Sequence, residues 1–237
     1  MTTREGVTIM SDLVTKTKDY MKEKQMGEAT GHDWWHTKRV YDMAVRLANE
    51  QTEVVDMEIV ELGALLHDIE DWKFNDGNED AGPDAAAKWL SELGADEKLI
   101  SHIQNIIRDL SFKGSDTGGM KSLEGMIVQD ADRLDAVGAI GIARTFAFGG
   151  VFGNEVFNPE LPARVEISGE EYKDREVKAT TVNHFYEKLF KLKDMYNLEE
   201  AKKIGLERHI YMKDFISLLL EECGATNTQQ YKLLETI

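Results

Sequence analysis

The sequence predicts an all-α fold, and three observations carry that expectation. Its 237 residues include three prolines, Pro83, Pro159 and Pro162, so few helix breakers interrupt the chain. Strict apolar/polar alternation of the strand type is hard to find. Apolar residues recur instead at three- and four-residue spacing, which lines one face of a helix.

The elements follow in order. A first helix is expected over 9–25, with Ser11 as its cap. A second covers 35–50, with Val40, Met43 or Ala44, and Leu47 on one stripe, and a third covers 56–69 through Ile59, Leu62, Leu65, Leu66 and Ile69. Pro83 sits where helices commonly begin, and the segment Asp84 to Leu93 is stopped by Gly94. Leu99, Ile103, Ile106 and Leu110 set a helix over 96–110. A long apolar helix is expected over 122–146, two amphipathic ones over 175–196 and 199–222, and a short one in the last ten residues. Residues 72–82 read as a polar loop, and 149–174, rich in Gly and Pro, as an irregular excursion. No repeat or linker divides the chain, so residues 1–237 read as one helical domain.

Composition bounds the function. Against 28 Lys+Arg stand 44 Asp+Glu, a formal net charge of −16, which disfavours a nucleic-acid duplex and an anionic membrane as partners. A small phosphorylated substrate is compatible with it, because a local basic pocket can exist on an acidic protein. One cysteine, Cys223, allows neither an internal disulfide nor a multi-cysteine zinc site. The first residues lack a signal-peptide pattern and no apolar run reaches spanning length, so the expectation is a cytoplasmic protein. A homodimer is compatible with a helix-rich surface, although no face demands one.

Three segments concentrate chemistry. In Glu61–Asp71, His67 and Asp68 end a strongly apolar run, with Glu70 and Asp71 within the next turn. Burying an imidazole and a carboxylate is costly without a partner, and a divalent cation is a natural one; a polar helix end open to solvent is the bland alternative. In Gly31–Val40, His32 and His36 imitate the paired histidines of zinc peptidases. If Asp33 caps the helix with His36 at its third position, His32 lies outside it and that geometry is lost. The third segment, Gln129–Asp135, places Asp130, Asp132 and Asp135 within an apolar helix. Asp132 and Asp135 share a face, with Asp130 roughly opposite Asp132.

Cations that a phosphate would need are available. Arg39 shares the face of His36, Arg133 and Arg144 follow Asp132, and Lys73 and Lys113 lie in loop-like segments. His184, Lys188 and Lys191 fall at i, i+4, i+7 on one expected stripe, for which a solvated face is the commoner explanation. No P-loop motif exists, Gly149–Gly153 reads as a flexible turn, and Cys223 has no evident base partner.

The order His36 … His67-Asp68 … Asp132 resembles the HD-domain superfamily of metal-dependent phosphohydrolases. The phrases Asp33–Val40, His67–Phe74, Val128–Ala136, Gly138–Phe146 and His184–Lys193 resemble its YpgQ/YedJ-like bacterial branch, over about residues 20–220. The resemblance implies an all-helical HD fold around one divalent metal (manganese, nickel, cobalt or iron, with magnesium allowed) held by His36, His67, Asp68 and Asp132. Only His102 lies between His67 and Asp132, so the two extra histidines of dinuclear relatives are missing. It further implies a nucleotide substrate and, nearest in type, a nucleoside triphosphate pyrophosphohydrolase releasing a monophosphate and pyrophosphate. Alternatives at the same site are a nucleoside monophosphate phosphatase and a regulatory module that binds metal or nucleotide without turnover. Asp71, one turn after Asp68, is the candidate to exchange a proton with the attacking water or the leaving group, with Glu70 as its substitute.

Overall fold

A computed structural model describes residues 11–28, 31–70, 78–110, 119–166 and 179–237. The described residues form helices and connecting turns, without a strand, as the sequence predicts. In chain order the α-helices are α1 (Asp12–Gln25), α2 (Trp34–Asn49), α3 (Met57–Leu66), α4 (Ala81–Glu92), α5 (Glu97–Leu110), α6 (Leu123–Asp135), α7 (Gly138–Val151), α8 (Thr181–Glu187), α9 (Glu199–Glu222) and α10 (Gln229–Leu233). A 3₁₀ turn, Leu189–Asp194, follows α8.

Local capping explains most starts. The Ser11 side chain accepts the Val14 N–H, Asp33 accepts the His36 N–H, and Ser122 accepts the Gly125 N–H. The Asp33 cap leaves His32 outside α2, so the peptidase-like pair is not a helical pair.

Three expected boundaries differ. The third helix ends at Leu66, with His67 as its C-cap and Asp68 in the following turn, because the His67 imidazole turns back onto the Ala64 carbonyl. The long helix over 122–146 is two helices bent by 70°, and the second runs on to Val151. The bend sits at Gly138, whose φ of +76° is readily adopted by glycine, and the Arg208 side chain packs where a Cβ would stand. The described part of the segment 175–196 breaks at Lys188 (φ −137°, ψ −60°) and continues as the 3₁₀ turn. His184, Lys188 and Lys191 therefore do not form one helical stripe, since three residues per turn replaces 3.6 after the break.

Two hydrophobic clusters organise the packing. The larger joins α1 to α6 through Met21, Leu47, Leu62, Leu65, Ile103 and Ile127, together with Tyr196 and Leu198 before α9. The smaller gathers Ile142 of α7 with Phe185, Phe190, Met212, Ile216 and Leu234. Asp130 ties α6 to the start of α9. Fully buried, it accepts the backbone N–H groups of Asn197 and Leu198 and the Asn197 amide at 2.8–3.0 Å, satisfying the uncapped start of α9. Among the described residues no single helix is long and apolar enough to cross a membrane; α6 and α7 together are, but they are bent at the corner.

Candidate metal centre

Helices α2, α3 and α6 pack against one another and bring distant residues to one point. His36 comes from the first turn of α2, His67 from the C-cap of α3, and Asp132 from the last turn of α6. One ligand atom from each of these three lies within 4.8 Å of the others. The two Nε2 atoms stand 3.1 Å apart, and Asp132 Oδ1 is 3.6 Å from the first and 3.8 Å from the second. Asp68 joins from the turn, its Oδ2 3.3 Å from His36 Nε2 and 3.4 Å from His67 Nε2.

Both imidazoles are oriented from behind. His67 Nδ1 donates to the Ala64 carbonyl at 2.8 Å, which can only accept. His36 Nδ1 donates at 2.7 Å to Oδ2 of Asp135. That carboxylate is ionised: burial works to raise its pKa, but hydrogen bonds from His36 and Arg39 and the charge of Arg144 hold it well below the usual range. With both Nδ1 atoms turned to partners behind them, the two Nε2 atoms face the same point, where a metal would take the place of any proton they carry. Two nitrogens at right angles around one ion, each about 2.1 Å away, would stand about 3.0 Å apart, close to the separation seen.

The electrostatics ask for a cation. Burial alone would lower the His67 pKa, but the Asp68 charge and hydrogen bond, with Asp132 and the Ala64 carbonyl, outweigh it and push it up to about 9. Burial opposes ionisation of Asp68, yet the His67 charge, hydrogen bonds from both imidazoles and the His32 charge hold its carboxyl well below normal. Two carboxylates and two inward-facing imidazoles thus suit a divalent ion with mixed nitrogen and oxygen ligation.

The other sequence candidates sort by place. Arg39 makes a two-pronged ion pair with Asp135, Nε to Oδ1 at 2.7 Å and Nη2 to Oδ2 at 3.1 Å. Arg144 adds Nη1 to the same carboxylate at 3.0 Å and donates Nε to the Gly31 carbonyl at 2.7 Å. Both arginines therefore bear on the residue that orients His36. Arg133 donates to the Met195 carbonyl, between the two clusters. Glu70 pairs with Lys24 of α1 at 2.6 Å. Lys191 lies in the 3₁₀ turn within reach of Glu187 and Glu166, and His184 and Lys188 belong to α8 and the break after it. Asp71, Lys73 and Lys113 lie outside the described residues.

Two roles escaped sequence reading. Asp135 was one of three clustered carboxylates, and its spacing from Asp132 was the available signal. His32, outside the helix, has its ring edge-on to His36 at 5.8 Å and its charge reaches Asp68.

Comparison with known proteins agrees with this geometry. The HD domain model matches residues 34–137, spanning His36 to Asp132. The chain is 36% identical over 203 residues to the uncharacterized protein YpgQ of Bacillus subtilis, covering 81% of this chain and 84% of that one. The crystal structure of YpgQ in complex with ADP matches with a TM-score of 0.66 at 31% identity, over 88% of this chain and 97% of that one. An HD-superfamily hydrolase from Bacillus thuringiensis matches at 0.65 and 39% identity, over 90% and 97%. A Lactobacillus plantarum protein matches at 0.81 and 33%, over 92% and 100%. Helices, spacing and relatives together show that this chain belongs to the HD-domain superfamily of metal-dependent hydrolases, as a relative of YpgQ.

Proposed function

We propose that this protein is a nucleotide phosphohydrolase that cleaves nucleoside triphosphates to a monophosphate and pyrophosphate, with His36, His67, Asp68 and Asp132 holding one divalent transition metal. The observation that carries the reading is the pair of Nε2 atoms 3.1 Å apart, each with its Nδ1 proton committed behind it. The ADP complex of YpgQ supports a nucleotide ligand. A bound ion would supply Lewis-acid activation of water and neutralise charge developing on phosphorus.

The chain's own residues do the rest. Asp135, clamped by Arg39 and Arg144, keeps His36 in one tautomer and one orientation. Asp71 takes the proton from the water whose oxygen bonds to the α-phosphorus as the α–β bridging bond breaks and pyrophosphate leaves. Glu70 is bound to Lys24, which makes it the weaker candidate for that role.

The test is a product assay with dATP and dAMP in Mn²⁺, Co²⁺ or Ni²⁺. Pyrophosphate and dAMP from dATP are expected. Orthophosphate from dAMP would instead support a monophosphatase, and binding without either product a regulatory module. His67→Ala is expected to lose metal and turnover together, and Asp71→Ala turnover alone.

A further inference from the structure

An aromatic row leads away from the metal group. It begins at His36 and passes to His32, edge-on at 5.8 Å. From there it reaches Phe148 of α7 at 6.3 Å, and Phe148 lies tilted against Phe152, one turn later, at 4.4 Å and 34°. The inner end is buried with His36, while Phe152 is 43% exposed and Phe148 half-buried. Two of the largest faces in the row are thus only partly covered.

The row is held rigidly. Arg144 and Phe148 stand four residues apart on one face of α7, and together they grip consecutive residues of the turn before α2. Arg144 Nε bonds the Gly31 carbonyl, and Phe148 meets the His32 ring. Gly31 has φ of +89°, and a Cβ there would press on Arg144 Cγ at 3.3 Å, so the approach is close. The His32 N–H is tied to the Glu28 carboxylate at 3.0 Å. His32 is thereby fixed with one neighbour in the metal group and the other in the phenylalanine pair.

We infer that His32, Phe148 and Phe152 form the platform on which the base of a nucleotide stacks while its phosphates lie at the metal group. The inference rests on the nucleotide reading above and names the part of the substrate that these rings select. A planar heterocycle gains by covering half-exposed aromatic faces, and stacking of a base on an aromatic side chain is tolerant of base identity. Inorganic pyrophosphate, which shares the anionic part, has nothing to place there. A base-bearing ligand is therefore preferred over the bare anion, with little discrimination among bases.

The test compares ADP with inorganic pyrophosphate by calorimetry on the manganese-loaded protein. ADP is expected to bind more tightly, and Phe152→Ala to reduce the ratio of the two affinities by about 5- to 100-fold, in keeping with one lost stack. Phe152→Leu retains apolar bulk without a ring and is expected to reduce it nearly as far, which separates stacking from packing; metal stoichiometry and circular dichroism confirm that either variant is folded. An unchanged ratio in both folded variants, or equal affinity for the two ligands in the parent, would overturn the platform. Hydrolysis of dATP without such a change leaves the phosphohydrolase standing and removes the platform. A ring-dependent preference for ADP without turnover does the reverse.

Discussion

Asp135 Oδ2 accepts the Nδ1 proton of His36 at 2.7 Å, and this one contact sets the direction in which Nε2 faces. The carboxylate sits beside two arginines, so it stays ionised and its geometry is fixed. Asp135→Asn is expected to weaken metal binding about 10- to 100-fold, the usual effect of losing the group behind a ligating imidazole. Competition against a chelator measures it; an affinity within twofold of the parent would count against this role for Asp135.

Asp130 and Asp132 are two residues apart and have opposite duties. Asp130→Ala removes the acceptor of several charge-assisted hydrogen bonds at the start of α9 and is expected to cost about 3 kcal/mol of stability, with metal stoichiometry unchanged. Asp132→Ala is expected to leave the metal-free protein within about 0.5 kcal/mol of the parent and to lose the metal. Urea unfolding in EDTA, paired with metal analysis, reads both; the opposite pattern would exchange the two assignments.

His209 is placed to lower stability in acid. It is buried, packs edge-on against Phe190 at 5.4 Å, and its Nδ1 has no hydrogen-bond partner. Burial, then the charges of Lys193 and Lys213 against that of Asp194, lower its pKa to about 4. The unfolded chain takes up that proton near the ordinary imidazole value of 6.5 while the folded chain resists it. The contribution is therefore fully present above pH 6.5 and declines as pH falls toward 4, by up to about 1.4 kcal/mol per unit. His209→Phe is expected to flatten this part of the profile in metal-free protein; a decline of equal slope in the variant would assign it elsewhere.

Gly138 carries the corner between α6 and α7. Gly138→Ala places a Cβ in a left-handed backbone and 2.9 Å from Arg208 Cγ. A loss of about 1–2 kcal/mol is expected from the backbone term alone. Ala139→Gly, at the next and more open position, serves as the comparison in thermal unfolding and is expected to cost less.

Legibility in the sequence followed the range of the forces involved. The Asp33 cap, the apolar stripes and the order of His36, His67, Asp68 and Asp132 are local or motif-borne, and the structure brings those four side chains together. The corner at Gly138 was hidden because Ala136 to Gly141 reads as uninterrupted apolar sequence, and Arg208, which packs against the bare side of Gly138, lies seventy residues on. The 3₁₀ turn was hidden for a similar reason: Phe185, Leu189 and Leu192 keep apolar spacing through the break at Lys188. Arg39 and Arg144 showed their charge in the sequence but not their shared partner, because an ion pair is a long-range fact.

The 70° bend makes one stretch of chain serve the centre from two directions. Asp132 and Asp135 reach it at the end of one helix, and Arg144 and Phe148 return to it from the next. A single residue inserted within α7, between Gly138 and Arg144, would turn everything after it by about 100° and carry Phe148 off His32. The spacing along α7 from Gly138 to Phe148 therefore has no slack, and deletions or insertions there should be absent from functional variants even where neighbouring loops vary freely in length.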